Sequence, residues 1–156
     1  MRVFLHKDFT MQDTVSTDEL DITIDTLGHL GDGVADVDGA QIFVPLALAG
    51  ERVRVRPNAE GKADLLKILE PSALRVKPPC KHFGQCGGCA LQHVEANAYA
   101  EWKRLQVIAA LSARGLDIEV DPLISAGSHS RRRATFAATR TKKGVTLGYY
   151  ARASHN

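Results

Sequence analysis

The chain has 156 residues, enough for one ordinary domain or two small ones, and its 44% apolar content is that of a chain that folds. No stretch approaches the roughly 20 apolar residues of a membrane helix, and the opening "MRVFLHKDFTMQDTVSTDEL" turns polar too early for a secretory leader. The formal charge of +2 conceals a division: residues 1–70 carry 7 Lys and Arg against 13 Asp and Glu, whereas residues 71–156 carry 13 against 5. An acidic half precedes a basic half, and the basic half suits a polyanion such as nucleic acid. The expected location is the cytoplasm, with no membrane partner.

Residues 1–17 show no sustained periodicity and are expected to form a flexible N-terminal tail. From Glu19, "ELDITIDTL" alternates Leu20, Ile22 and Ile24 with polar residues, the period of a half-buried strand. The following stretch breaks into short β-rich runs at Gly31, Asp32-Gly33 and Asp38-Gly39, expected to supply the positive φ of tight turns. Ile42 alternates with Val44, and Val53 and Val55 alternate with Arg52, Arg54 and Arg56. "KADLLKILE" adds a further strand. Five short strands within residues 18–70 predict a small β-barrel.

Residues 71–79 carry three prolines and read as a linker. "CKHFGQCGGCALQH" follows, holding every cysteine of the chain: Cys80, Cys86 and Cys89. In a reducing compartment, three thiols so close together among polar residues and glycines point to a metal or cluster rather than to core packing. Gly87 and Gly88 permit a tight turn and allow backbone N–H groups to approach the sulfurs. The donor set leaves zinc and iron–sulfur both open. His82 or His93 would complete a Cys3His zinc site, whereas a cubane cluster takes a fourth cysteine that this chain lacks. His93 is equally well read as a polar residue at a helix start.

"NAYAEWKRLQVIAALSARG" places Ala98, Trp102, Leu105 and Ala109 at helical spacing, with Gly115 closing one amphipathic helix. "DIEVDPLIS" and "RRRATFAATRTKKGVTLGYYAR" read as strands, the last two joined by a hairpin at Lys142–Gly144. Arg131, Arg132 and Arg133 would open a strand and, with Lys142 and Lys143, form a phosphate-binding surface. Arg52, Arg54 and Arg56 form a second basic row. Phe43, Trp102 and Phe136 are candidates for base stacking, although aromatics at such spacing are more often core.

Together, the cysteine segment, the upstream "TLGHLGDGVADVDGAQIFVPLALAGERVRV" and the downstream "RRRATFAATRTKKGVTLGYYARASHN" resemble the N-terminal part of bacterial 23S rRNA (uracil-5-)-methyltransferases. The resemblance implies a mainly β fold with an α+β second part. A small OB-like TRAM barrel that binds RNA (18–70) would be followed by residues 80–156, comprising the iron–sulfur segment, one helix and an incomplete small sheet. It implies that Cys80, Cys86 and Cys89 hold a [4Fe-4S] cluster whose fourth ligand lies beyond Asn156, and that 23S rRNA, not DNA, is the partner. S-adenosylmethionine and the catalytic residues would belong to a C-terminal methyltransferase domain absent from these residues. A free-standing RNA-binding module with a zinc site and no catalysis is the alternative.

Overall fold

A computed structural model describes residues 19–58, 61–127 and 130–152, so the expected N-terminal tail lies outside the described residues. Six strands come first: β1 (Leu20–Thr23), β2 (Thr26–Leu27), β3 (Gly33–Val37), β4 (Ala40–Val44), β5 (Arg52–Pro57) and β6 (Ala63–Glu70). They form two antiparallel three-stranded sheets, ordered β1-β5-β6 and β2-β3-β4. The sheets meet through a parallel Phe43–Lys62 bridge, without closing into a continuous barrel. The β-rich first part is as the alternation predicts; the strands number six rather than five because the chain bends at Ile24–Asp25 to pass from one sheet to the other.

The alternating residues build the core. Ile22, Ile24, Ala35, Val44, Val53, Val55 and Ala63 pack together, with Ala47 beside them. Each fully buried Val or Ile contributes about 1.5–3 kcal/mol relative to exposure. On the outer face of β5, Arg54 stands opposite Asp21 of β1 and donates to both of its carboxylate oxygens at 2.7 and 3.0 Å. That guanidinium holds the Asp21 carboxyl below its ordinary range.

Asp38-Gly39 turns β3 into β4 with both residues at positive φ (54° and 82°), the geometry expected of this dipeptide. Asp32-Gly33 works differently. Gly33 begins β3 and is required for space, because a Cβ there would lie 2.9 Å from Ile24 Cγ2 and 3.0 Å from the Ala47 carbonyl oxygen.

After the proline-rich linker, α1 (Ala96–Ser112) starts under Glu95, whose carboxylate accepts from the backbone N–H groups of Asn97 and Ala98 at 2.9 Å. It ends before Gly115, at φ 71°, where Leu116 N–H donates back to the Leu111 carbonyl. Trp102 fixes the helix to the β-rich part, donating from Nε1 to the Leu27 carbonyl at 3.4 Å. The last elements are β7 (Ala137–Thr141) and β8 (Gly144–Gly148), an antiparallel hairpin turning at Lys142-Lys143 as expected.

Two expectations are corrected. "DIEVDPLIS" (117–125) forms no strand, and neither does the segment containing Arg131, Arg132 and Arg133, because the sheet starts only at Ala137. Alternation signals a strand only where a neighbouring strand takes up its backbone groups, and among the described residues nothing pairs with either segment. The burial pattern agrees. Beyond Ala63, His93 is the only described residue that is fully buried.

Candidate RNA-binding face and cysteine segment

The cysteine segment is a series of turns held by its own backbone. Phe83 N–H donates to the Cys80 carbonyl and Cys86 N–H to the His82 carbonyl, at 3.1 and 2.9 Å, while Gln92 Oε1 accepts from Cys80 N–H at 3.2 Å. The end of the described chain lies alongside. Gly87 N–H donates to the Tyr150 carbonyl at 2.9 Å, Arg152 N–H to the Gln85 carbonyl at 2.7 Å, and Cys86 pairs with Ala151 as an antiparallel bridge. This contact explains the glycines. A Cβ on Gly87 would meet the Tyr150 carbonyl at 3.0 Å, and one on Gly88 the Tyr149 ring at 3.1 Å.

All three cysteines are free thiols; Cys80 and Cys89 are exposed and Cys86 half-buried. The Gly88 N–H reaches Cys86 Sγ at 3.4 Å, the kind of approach that stabilises thiolate sulfur. In chemistry the donor set fits a thiolate-bound cluster. Among the described residues, however, no group of three or more His, Cys, Asp or Glu side chains is drawn together at metal-holding distances.

His93 is turned into the protein interior. Its ring is 1% exposed and packs on Phe83 with centroids 5.1 Å apart, at the junction where the linker meets the β-sheets. There Arg75 donates from both Nε and Nη2 to the fully buried carboxylate of Glu51, the Nη2 bond being 2.7 Å, and from Nη2 to the Leu46 carbonyl at 2.7 Å. Glu51 also accepts from the backbone N–H groups of Leu48 and Ser72. Burial pushes the Glu51 carboxyl up, but the Arg75 hydrogen bonds and those two N–H groups outweigh it, and the carboxyl titrates below its ordinary range. His93 is pushed down to about 4, first by burial and then by the neighbouring Arg75 charge. The Leu46 carbonyl, which also accepts from Arg75, faces the ring and favours its protonated form, but neither imidazole nitrogen completes a hydrogen bond. The backbone closes the junction through Val76 N–H to the His93 carbonyl and Glu95 N–H to the Leu74 carbonyl, at 2.9 and 2.8 Å.

The basic residues separate into two groups. Arg52, Arg54 and Arg56 are ion-paired with Glu70, Asp21 and Glu19. The neighbouring acidic residues had left RNA contact at this row open, and the pairing of Glu19, Asp21 and Glu70 with its three arginines makes it a poor phosphate surface. Arg131, Arg132 and Arg133 instead line one cavity of about 720 Å³ together with Ala134, Thr135 and Tyr149. Lys142 and Lys143 sit apart, at the tip of the β7–β8 hairpin. Sequence reasoning missed Glu51 and Arg75, because a charged residue in a β-rich run reads as outward-facing until its partner is known.

No family model matches the chain. Among curated proteins it is similar to an uncharacterized RNA methyltransferase of Brucella suis, 49% identical over 134 residues, which are 86% of this chain and 32% of that protein. It is also similar to the 23S rRNA (uracil(1939)-C(5))-methyltransferase RlmD of Halomonas elongata, 40% identical over 143 residues (86% and 30%). The corresponding enzyme of Shewanella frigidimarina is 35% identical over 145 residues (85% and 32%). The chain spans about a third of the length of these relatives. In sequence it is the counterpart of the N-terminal part of bacterial RNA methyltransferases, a family that includes the 23S rRNA uracil-C5 enzymes.

Proposed function

We propose that this chain is the RNA-binding and [4Fe-4S]-binding N-terminal portion of an S-adenosylmethionine-dependent methyltransferase that forms 5-methyluridine in 23S rRNA in the cytoplasm. The RNA reading is supported by the similarity over most of the chain to enzymes named for that reaction, and by the basic cavity of Arg131, Arg132 and Arg133. For the cluster, the single observation that carries the reading is the Cys86–Ala151 bridge. It lays the backbone from Tyr149 to Arg152 against the Cys86-Gly87-Gly88-Cys89 turn, so a ligand supplied after that segment would start from beside Cys86, and closing a cluster would draw the three thiols together from their present spread. When bound, a cluster would supply a structural tie between the cysteine turns and the β7–β8 hairpin. Methyl transfer needs no electron from it. The residues that bind S-adenosylmethionine and carry out the chemistry would lie in the two-thirds of such an enzyme that this chain does not span.

The test is anaerobic reconstitution with iron and sulfide. The expected product is brown, with sulfur-to-iron charge-transfer absorption in the visible and iron and acid-labile sulfide in equal amounts, and Cys86→Ser abolishes the colour. A colourless protein holding stoichiometric zinc overturns the cluster reading. Binding of a structured rRNA fragment, measured against salt, tests the RNA reading separately.

A further inference from the structure

Arg131 lines two cavities. Besides the arginine cavity, it borders a space of about 610 Å³ walled by His29 from the β2–β3 loop, Cys89 from the cysteine segment, and Tyr99, Trp102 and Lys103 from α1. The Tyr99 and Trp102 rings are stacked, with centroids 6.2 Å apart and planes inclined by 26°. The Lys103 ammonium lies over both rings, 5.7 and 5.5 Å from their centroids, a cation that a base settling on either face would displace towards its own phosphate. Among the described residues neither cavity is lined by a carboxylate, whereas each arginine of β5 is paired with one. The groove therefore combines unneutralised positive charge with an aromatic surface.

That combination selects its occupant. An inorganic polyanion would use the charge and leave the rings idle; an acidic peptide would satisfy the cations but has no general use for a stacked aromatic pair; a duplex keeps its bases stacked on one another. An unpaired nucleotide uses both features, its base on a π surface and its phosphates on the cations. We infer that the Tyr99–Trp102 platform receives one unpaired RNA base, with Lys103 and Arg131 on the flanking phosphates and Arg132 and Arg133 carrying the strand onward through the neighbouring cavity. This rests on the RNA reading above and adds to it the conformation of the RNA, single-stranded and stacked. Recognition at this point tolerates any base, because every base has a π face.

Trp102 is the only tryptophan in the chain, so its emission reports the platform directly. The 156-residue protein is titrated with a short oligouridylate, an RNA duplex and inorganic polyphosphate, with affinity measured in parallel by anisotropy or competition. Oligouridylate is expected to quench Trp102 on binding, and polyphosphate to bind with little quenching. Tyr99→Leu should weaken oligouridylate about tenfold, as loss of one base–aromatic stack does, and leave polyphosphate affinity unchanged. Tyr99→Phe, which keeps the ring, should bind as the parent does. Salt-dependent binding of oligouridylate with unaltered Trp102 emission, indifferent to Tyr99→Leu, overturns the stacking site while leaving the RNA reading intact. Failure of the protein to bind either RNA overturns both. An acidic peptide that quenches Trp102 as effectively as oligouridylate would assign the groove to a protein partner instead.

Discussion

His93 should make the protein acid-labile well above the range where carboxylates protonate. In the fold its imidazole is buried, unpartnered and beside the Arg75 charge, and its pKa falls from an ordinary 6.5 to about 4. Below pH 6.5 the unfolded chain takes up a proton that the folded chain refuses, so stability falls as the pH drops from 6.5 towards 4 and is level above that window. With each pKa unit equivalent to about 1.4 kcal/mol, the shift implies a full cost of about 3 kcal/mol, of which about 2 kcal/mol is lost between pH 7 and pH 5. The assay is urea unfolding followed by Trp102 emission at the two pH values, for the parent and for His93→Leu. The variant leaves no buried nitrogen unsatisfied, so its stability at pH 7 should stay within about 1.5 kcal/mol of the parent. The loss between pH 7 and pH 5 should shrink to well under 1 kcal/mol. An equal loss in parent and variant would refute the reasoning, because the proton would then be taken up elsewhere.

Arg75→Ala strands the buried Glu51 carboxylate and should cost about 3–5 kcal/mol in the same assay, a large share of the roughly 5–15 kcal/mol that holds a domain together. Adding Glu51→Gln should recover part of that loss, since a neutral amide still accepts from Leu48 and Ser72. Gly33→Ala should destabilise by about 1–3 kcal/mol, because its Cβ would press on Ile24 and on the Ala47 backbone oxygen, which cannot swing aside. An unchanged urea midpoint would show that the loop yields instead. Replacing Arg131 and Arg133 by Ala should flatten the salt dependence of rRNA-fragment binding by about one unit for each phosphate no longer neutralised. Arg54→Ala, at a guanidinium already held by Asp21, should leave that slope unaltered.

Much of this fold is local, and locality is what a sequence displays. The alternation of Ile22 and Ile24, and of Val53 and Val55, assigns their faces because a strand's side chains have period two. Asp38-Gly39 and Lys142–Gly144 mark their hairpins, whereas the apolar face expected of α1 is only half-buried at Ala98 and Trp102 and is exposed at Leu105. The spacing of Cys80, Cys86 and Cys89 is likewise visible in the residues themselves. Tertiary structure decided whatever depends on a distant partner. It denied strands to residues 117–125 and to the arginine run, since hydrogen bonds need a neighbour. The arginines of β5 were neutralised by carboxylates up to 37 residues away in sequence, while Arg131 was left beside an aromatic pair on α1. Tertiary contact also turned Glu51, Arg75 and His93 inward to one junction. Burial of a charge becomes tolerable only when the fold delivers its counter-charge, and no periodicity in either segment announces the other.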